Sequence, residues 1–121
     1  MRFFRLLGAF AIIVLAAQRA SAVYELIVIE KPFHARSVSG IVLDPVGQRL
    51  AGAEVKDYDS GFTNIRQSTT TDEQGRFSLS RSGQSVHYLR IYARGMNPLQ
   101  ITVVLRPLAK PGIRVKVHIG G

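Results

Sequence analysis

Alternation of apolar and polar residues with a period of two constrains the fold of this chain more than any other feature. The alternation is strict in segments 87–94 (HYLRIYAR) and 113–119 (IRVKVHI), and segment 100–105 (QITVVL) has Ile101, Val103 and Leu105 on one side. The residues that it points inward are Leu89, Ile91, Ala93, Ile101, Val103, Leu105, Ile113, Val115, Val117 and Ile119. No long stretch after residue 22 shows the i, i+3, i+4, i+7 spacing of an amphipathic helix. The pattern therefore predicts strands and almost no helix.

Earlier segments carry shorter versions of the same signal. Segment 23–29 (VYELIVI) is β-branched and is closed by Pro32, and segments 36–43, 53–58 and 75–80 each hold apolar residues two positions apart. Turn residues separate these runs at short intervals. Seven or eight short strands in this arrangement are typical of a sandwich. The predicted fold class is all-β, a seven- or eight-stranded antiparallel β-sandwich.

Two loops have the residue types that tight turns need. Segment 44–52 (DPVGQRLAG) follows one predicted strand, and segment 72–75 (DEQG) lies between two others. The carboxylate of Asp72 can accept backbone hydrogen bonds two residues on, and Pro45 directly after Asp44 favours the second position of a turn. Gly47 and Gly75 can adopt positive φ at little steric cost. The predicted structural turn residues, which carry no chemistry, are therefore Asp44, Gly47, Asp72 and Gly75.

The first 22 residues have the three parts of a secretory signal peptide. A basic start (MRFFR) precedes a twelve-residue apolar run at 6–17, and the small residues 20–22 (ASA) offer a cleavage site. The apolar run is shorter than the roughly 20 residues of a membrane-spanning helix, and Gln18 and Arg19 end it. Both features disfavour the alternative interpretation, an uncleaved membrane anchor. The sequence predicts a signal-peptide helix at 1–22, cleavage after Ala22, and one domain at 23–121 that is secreted or periplasmic and not an integral membrane protein.

Charge narrows the class of partner. The whole chain has a formal net charge of +8. Cleavage of the signal peptide would remove three arginines. The remaining chain would have 13 Lys and Arg and 8 Asp and Glu, a net charge of +5. This excess favours anionic surfaces such as envelope polymers, whereas no basic cluster dense enough for nucleic acid is present. Cysteine is absent, which suits bacterial export better than the disulfide-rich secreted domains of animals.

Three segments resemble the carboxypeptidase regulatory-like domain family. Segments 40–55, 71–79 and 88–95 match its three signatures through Gly40, Val42, Asp44, Gly47, Leu50, Gly52, Ala53 and Val55, then Thr71, Asp72, Gly75, Phe77 and Leu79, then Tyr88, Leu89, Ile91, Ala93 and Gly95. Arg49 replaces the usual Pro and Met96 the usual Tyr or Phe. The resemblance implies a transthyretin-like sandwich that accompanies peptidases, outer-membrane transporters or adhesins and rarely carries chemistry itself.

Side chains that could carry catalysis or bind a metal are few. His34, His87 and His118 have no partner His or Glu at the helical spacing of a zinc site, and no serine lies in a Gly-x-Ser-x-Gly elbow. Asp57 and Asp59 are close together but form no EF-hand loop. The sequence therefore predicts no enzyme, no cofactor and no metal site. A small hydrolase of the transthyretin-like type is the least favoured alternative, because the chain lacks its Tyr-Arg-Gly-Ser terminus.

One strand face suggests a binding surface. Tyr88, Arg90, Tyr92 and Arg94 alternate on the predicted outer side of segment 87–94. The guanidinium of Arg stacks on aromatic rings and forms bidentate hydrogen bonds with carboxylates. We therefore expect a binding or protein-interaction module whose candidate partners are an anionic glycan, peptidoglycan or an envelope protein. The competing interpretations are a solvated strand face stabilised by cross-strand pairs and an assembly subunit that pairs through an exposed edge, segment 23–29 or 113–119.

Overall fold

Alternating side chains form strands throughout the part of the chain that the structure describes. The computed structural model describes residues 24–120, which contain nine strands and no helix. In chain order the strands are β1 (Ile27–Val28), β2 (Phe33–Ala35), β3 (Ser39–Leu43), β4 (Glu54–Tyr58), β5 (Ile65–Thr70), β6 (Arg76–Ser78), β7 (Val86–Tyr92), β8 (Leu99–Leu105) and β9 (Ile113–Lys116). Within these residues no helix could span a membrane. The signal peptide predicted at 1–22 lies outside them and stays a prediction.

The strands form two sheets, named here sheet A and sheet B. Sheet A has the order β1-β8-β7-β4-β5, with β2 also paired to β8, and sheet B has the order β6-β3-β9. The ladder between β7 and β8 runs from the pair Val86–Val104 to the pair Ile91–Leu99. On the other side of β7, Tyr58 of β4 lies opposite Tyr88. Strand β7 is thus the middle strand of sheet A and has neighbours on both sides.

The inner faces of both sheets contribute to one hydrophobic core. The core residues are Ala35, Val38, Val42, Ala53, Val55, Phe77, Leu89, Ile91, Leu99, Ile101, Val103, Leu105, Ile113, Val115 and Val117. Full burial of an aliphatic side chain of this size stabilises the fold by about 1.5–3 kcal/mol. The alternation correctly predicted the burial of four side chains that are fully buried, those of Leu89, Ile91, Ile101 and Val103. The all-β class is confirmed for the described residues.

The prediction of seven or eight antiparallel strands was wrong in number and direction. There are nine strands in the described residues, and both sheets are mixed. Strands β1 and β2 pair with β8 in parallel, and β3 pairs with β9 in parallel. Side-chain alternation is the same in parallel and antiparallel strands, so the sequence pattern held no information on strand direction.

The two terminal strands are shorter than predicted. Of residues 24–29 only Ile27 and Val28 form a strand, and the next strand, β2, begins directly after Pro32, which lacks the N–H that a ladder needs. Strand β9 ends at Lys116, and Ile119, predicted to face inward, is 71% exposed. Beyond β9, Ile119 forms an isolated bridge with Met96.

Two turns are built in the same way around an aspartate. Asp44 Oδ1 accepts hydrogen bonds from the backbone N–H groups two and four residues later, at 3.0 and 2.8 Å. Asp72 Oδ1 does the same, at 2.9 Å in both cases. Gly47 and Gly75, each three residues after its aspartate, have φ of +88° and +73°. That left-handed conformation suits glycine, which has no Cβ.

Candidate functional site

The outer face of sheet A gathers aromatic and cationic side chains from two neighbouring strands. On β7, residues Tyr88, Arg90 and Tyr92 point outward and are half-buried, while Leu89 and Ile91 between them are buried. The β4–β7 register places Tyr58 beside Tyr88 and Lys56 beside Arg90. We call the set Lys56, Tyr58, Phe62, Tyr88, Arg90 and Tyr92 the aromatic–cation face.

Arg90 lies at the centre of the aromatic–cation face. Its Cζ is 5.2 Å from the ring centroid of Tyr58 and 4.7 Å from that of Phe62. Its Nε donates a hydrogen bond of 2.9 Å to Oε1 of Gln100 on β8. A guanidinium within about 6 Å of a ring is attracted by the ring's negative face. Arg90 is therefore held by two rings and one amide.

Phe62 reaches this face because its backbone takes an unusual conformation. It lies in the loop between β4 and β5, where Asp59 O accepts its N–H at 3.0 Å and Asp59 Oδ1 accepts the N–H of Thr63 at 2.8 Å. Its φ is +54°, which is rare for a bulky side chain. Its ring packs against those of Tyr58 and Tyr88, with centroids 5.5 and 5.8 Å away. Such backbone strain is often stored where a side chain is needed for function.

Hydrogen bonds and ion pairs shift the pKa values of two groups on the face. The hydroxyls of Tyr58 and Tyr92 are 3.5 Å apart, and this contact, together with burial, raises the pKa of Tyr58 above its ordinary value of 10.0. Lys56 Nζ lies 2.9 Å from Glu54 Oε1 and 5.0 Å from the ring centroid of Tyr92. The bond to Glu54 raises the pKa of Lys56 above 10.5. Lys56 is thus a cation at neutral pH, and it lies opposite Arg90 in the β4–β7 register.

The structure brings together three of the four side chains that the sequence singled out. Tyr88, Arg90 and Tyr92 share the outer face of β7, whereas Arg94 lies in the turn beyond the end of the strand and is exposed. Sequence reasoning missed Lys56, Tyr58 and Phe62, because they reach β7 only through the pairing of β4 with it. The signal available for Phe62 was its position three residues after an aspartate, where the other two turns have glycine.

A second polar cluster is buried inside the sheet. His87 and Asp57 are 0% and 1% exposed, and His87 Nδ1 is 2.7 Å from Asp57 Oδ2. Gln67 Nε2 donates to the same carboxylate oxygen at 2.8 Å, and His87 Nε2 lies 3.0 Å from the carbonyl oxygen of Gln84. Asp57 Oδ1 is buried without a hydrogen-bond partner in the described residues. His87 is thus fully buried beside a carboxylate that lies thirty residues away in the sequence.

Gln67 and His87 also fasten the loop between β6 and β7. Gln67 accepts the N–H of Ser80 at 3.0 Å and donates to its carbonyl at 2.6 Å. The bond from His87 to Gln84 holds the other end of the loop. The cluster therefore connects β4, β5 and β7 to one loop, and both ring nitrogens of His87 are engaged.

The other candidates for chemistry lie apart. His34 and His118 are exposed on β2 and after β9. Asp59 heads the Phe62 loop, whereas Asp57 points into the interior. Within residues 24–120 no three His, Asp or Glu side chains come close enough to hold a metal ion.

The comparison with protein families gives one result. The sequence model described as Carboxypeptidase regulatory-like domain matches residues 37–118. That span runs from just before β3 to just after β9 and includes β4 and β7, the strands of the aromatic–cation face. No curated protein matches the chain.

Proposed function

The chain belongs to the carboxypeptidase regulatory-like domain family, and we propose that it is a non-catalytic binding module with a transthyretin-like β-sandwich fold. The proposal that it is exported rests on the signal peptide predicted at 1–22. The family consists of non-catalytic regulatory domains. The partner that the surface fits best is an anionic glycan of the cell envelope or its surroundings, such as peptidoglycan. An envelope protein with an acidic patch is the other partner of matching charge.

The observation that carries this proposal is the aromatic–cation face. Three of the four tyrosines of the chain lie in it, together with Phe62 in a strained conformation. Glycine would fit the left-handed backbone conformation of residue 62 without strain. Folding alone therefore does not explain why an aromatic ring lies there, on the outer face of sheet A. Rings and cations side by side suit a ligand that has flat apolar faces and negative groups, and a carboxylated or phosphorylated glycan has both.

The buried Asp57–His87 pair supports a non-catalytic role. In a hydrolase of the serine type, the histidine nitrogen remote from the aspartate takes the nucleophile's proton. Here that nitrogen lies 3.0 Å from a backbone carbonyl oxygen, and the ring has no exposed surface. The pair fits a role in holding the loop better than one in activating a serine.

Retention on anionic envelope polymers tests the proposal. We expect the purified protein to be retained by peptidoglycan or an anionic polysaccharide at low salt, and Phe62→Gly to weaken retention. The substitution removes the ring but also relieves a backbone strain on the order of 1–3 kcal/mol, so the fold should persist. Leu108→Gly is the matched control, because Leu108 is an apolar side chain that is fully exposed outside the face.

Two results would contradict the proposal. One is the absence of retention on every anionic polymer. The other is equal retention of Phe62→Gly, Tyr88→Ala and the unsubstituted protein. The export part has its own test, since cell fractionation and intact mass should give an envelope or extracellular protein that begins at Val23. A cytoplasmic protein of full mass would disprove it.

A free strand edge favours a second candidate function, assembly through β-strand addition. Strand β5 has six residues and, among residues 24–120, pairs only with β4. The edges first considered contribute strands of two and four residues. The N–H of Thr71 donates a hydrogen bond to the carbonyl oxygen of Ala53. In an antiparallel ladder every second residue bonds the neighbouring strand. The N–H and C=O groups of Ser68 and Thr70 therefore point away from β4. Sedimentation velocity should then detect an assembly that Ser68→Pro disrupts. A monomer at all concentrations, with no crosslinked partner in cells, would exclude it.

A further inference from the structure

A groove lies at the end of sheet A where β7 finishes and β4 begins. Its volume is about 470 Å³, and it is lined mainly by Tyr24, Glu54, Tyr92, Arg94, Met96 and Pro98. Small-molecule sites usually have about 300–1,000 Å³ and combine apolar walls with a few polar groups. Tyr92 also belongs to the aromatic–cation face, so the groove continues that face beyond the end of the strand.

The aromatic wall of the groove is held by specific contacts. Asn97 ties the two ends of the described chain together, since its Oδ1 accepts the N–H of Glu25 at 3.1 Å and its Nδ2 donates to Ile119 O at 3.3 Å. The ring of Tyr24 lies so close to Gly120 that a Cβ there would collide with it. Tyr24 is nevertheless 45% exposed. The ring is therefore packed on one side and open on another.

The charges in the groove leave one cation available. The carboxylate of Glu54 is 2.9 Å from Lys56 Nζ, which neutralises it. Arg94 is exposed and forms no ion pair with any of the described residues. A guanidinium presents a planar fork of donors that matches a carboxylate. The groove is thus complementary to a carboxylate that is attached to a body with an apolar surface.

We propose that this groove binds one acidic sugar unit of a glycan, with the carboxylate on Arg94 and the sugar ring between Tyr24 and Tyr92. The assignment rests on the proposed function, and it goes further by naming the unit and the residues that bind it. An acidic sugar fits because the groove is open and continuous with a face on which the rest of the glycan can lie. Asn97 and Gly120 act as positioning residues for Tyr24.

Calorimetric titration of the purified protein with a short oligogalacturonate tests the assignment. We expect binding that the neutral galactose oligomer of equal length does not show. Arg94→Gln should weaken binding about tenfold or more, as expected when a charge-assisted hydrogen bond is lost. Arg114→Gln is the matched control, because it removes the same charge from an exposed position on sheet B and should change nothing.

The positioning residues give a second readout. Gly120→Ala should displace the ring of Tyr24 and weaken binding of the oligogalacturonate, although residue 120 does not touch the sugar in this arrangement. Tyr24→Ala should weaken it to a similar extent. Unfolding in urea should be unchanged in both variants, which separates a local displacement from a loss of folding.

The outcomes distinguish the groove from the wider proposal. If Arg90→Gln and Phe62→Gly weaken binding while Arg94→Gln and Tyr24→Ala do not, the groove assignment is wrong and the aromatic–cation face remains. Equal binding of the neutral oligomer, or tighter binding of an acidic peptide than of the sugar, also overturns it. If no anionic glycan binds at all, both proposals fail together.

Discussion

At the scale of single residues, Phe62 has a backbone conformation that glycine has in two comparable turns. Gly47 and Gly75 each lie three residues after an aspartate that bonds the following backbone, and so does Phe62 after Asp59. All three have positive φ. The chain therefore accepts strain at the one turn whose side chain covers the aromatic–cation face.

Gly75 and Gly47 form a pair that separates strain from steric overlap. A Cβ on Gly75 would lie 2.9 Å from Val42 O and 3.0 Å from Leu50 N, whereas a Cβ on Gly47 would meet nothing within 4 Å. Gly47→Ala should cost about 1–2 kcal/mol of unfolding free energy through the left-handed backbone alone. Gly75→Ala should cost about 1–3 kcal/mol more, as overpacking does. Urea unfolding measures both, and equal losses would contradict the difference in environment.

Asp59 makes the Phe62 loop sensitive to acid. The backbone N–H of Thr63 bonds its carboxylate and, together with Asn64, lowers the pKa of Asp59 below 3.8. Because the folded pKa is the lower one, the stabilisation is present above the unfolded pKa and disappears as pH falls through the folded pKa. We expect the ring resonances of Phe62 to shift in that window below 3.8 in an NMR titration.

Asp59→Asn is the control for that titration. The amide oxygen can still accept hydrogen bonds, but it does not titrate, so the shift of Phe62 in that pH window should vanish. A Phe62 transition centred at or above 3.8, or one that persists in Asp59→Asn, would show that another group governs the loop.

At the scale of elements, the period-two alternation of the sequence predicted the direction of side chains well and the pairing of strands poorly. The alternation in β7 and β8 correctly placed Leu89, Ile91, Ile101 and Val103 inside, because a strand with one buried face requires it. It failed at Ile119, where the strand had already ended. It also missed the parallel pairs, since Phe33 and Val103 of β2 and β8 lie 70 positions apart and alternation says nothing about which distant strands meet.

The buried Asp57–His87 pair shows the same limit. In the sequence, Asp57 stood out only together with Asp59, as carboxylates that form no EF-hand loop, and His87 only as a histidine without a zinc partner. The β4–β7 register places Asp57 opposite Leu89, and only that pairing brings the carboxylate to the ring of His87. The sequence predicted half of the aromatic–cation face for the same reason. The alternation in β7 showed that Tyr88, Arg90 and Tyr92 share a face, but only the pairing of β4 with β7 brings Lys56 and Tyr58 to it.

Removing one member of the buried pair should be more damaging than removing both. His87→Phe leaves the Asp57 carboxylate buried with only Gln67 as a partner, and breaking a buried pair in this way typically costs roughly 3–5 kcal/mol. Asp57→Leu should cost about 1–3 kcal/mol, because it leaves a buried imidazole nitrogen without a hydrogen-bond partner. The double variant Asp57→Leu/His87→Phe should recover part of the loss. Urea unfolding of all four proteins gives the coupling energy, and additive losses would mean that the two side chains do not stabilise each other.

At the scale of the whole molecule, the aromatic–cation face lies on sheet A, and most of the carboxylates already have partners within the fold. Glu54 is paired with Lys56, Asp57 is buried, and Asp44, Asp59 and Asp72 bond the backbone of their own turns. Residues 24–120 carry a net charge of +5. The surplus positive charge is therefore available to a partner and is not neutralised inside the fold.

This distribution makes any binding of an anionic glycan dependent on salt. Exposed ion pairs contribute about 0.2–1 kcal/mol each, and the Debye length falls from about 10 Å at 0.1 M salt to about 3 Å at 1 M. With contacts from Arg94 and neighbouring cations, affinity for an anionic polymer should fall about tenfold over that range. Calorimetry at several salt concentrations measures the slope, which should be shallower in Arg94→Gln. Part of the affinity should survive at 1 M, because contacts with the rings of Tyr88 and Tyr92 are not screened, and that residual should be smaller in Tyr92→Ala. An affinity that does not change with salt would mean that the cations of this sheet do not touch the ligand.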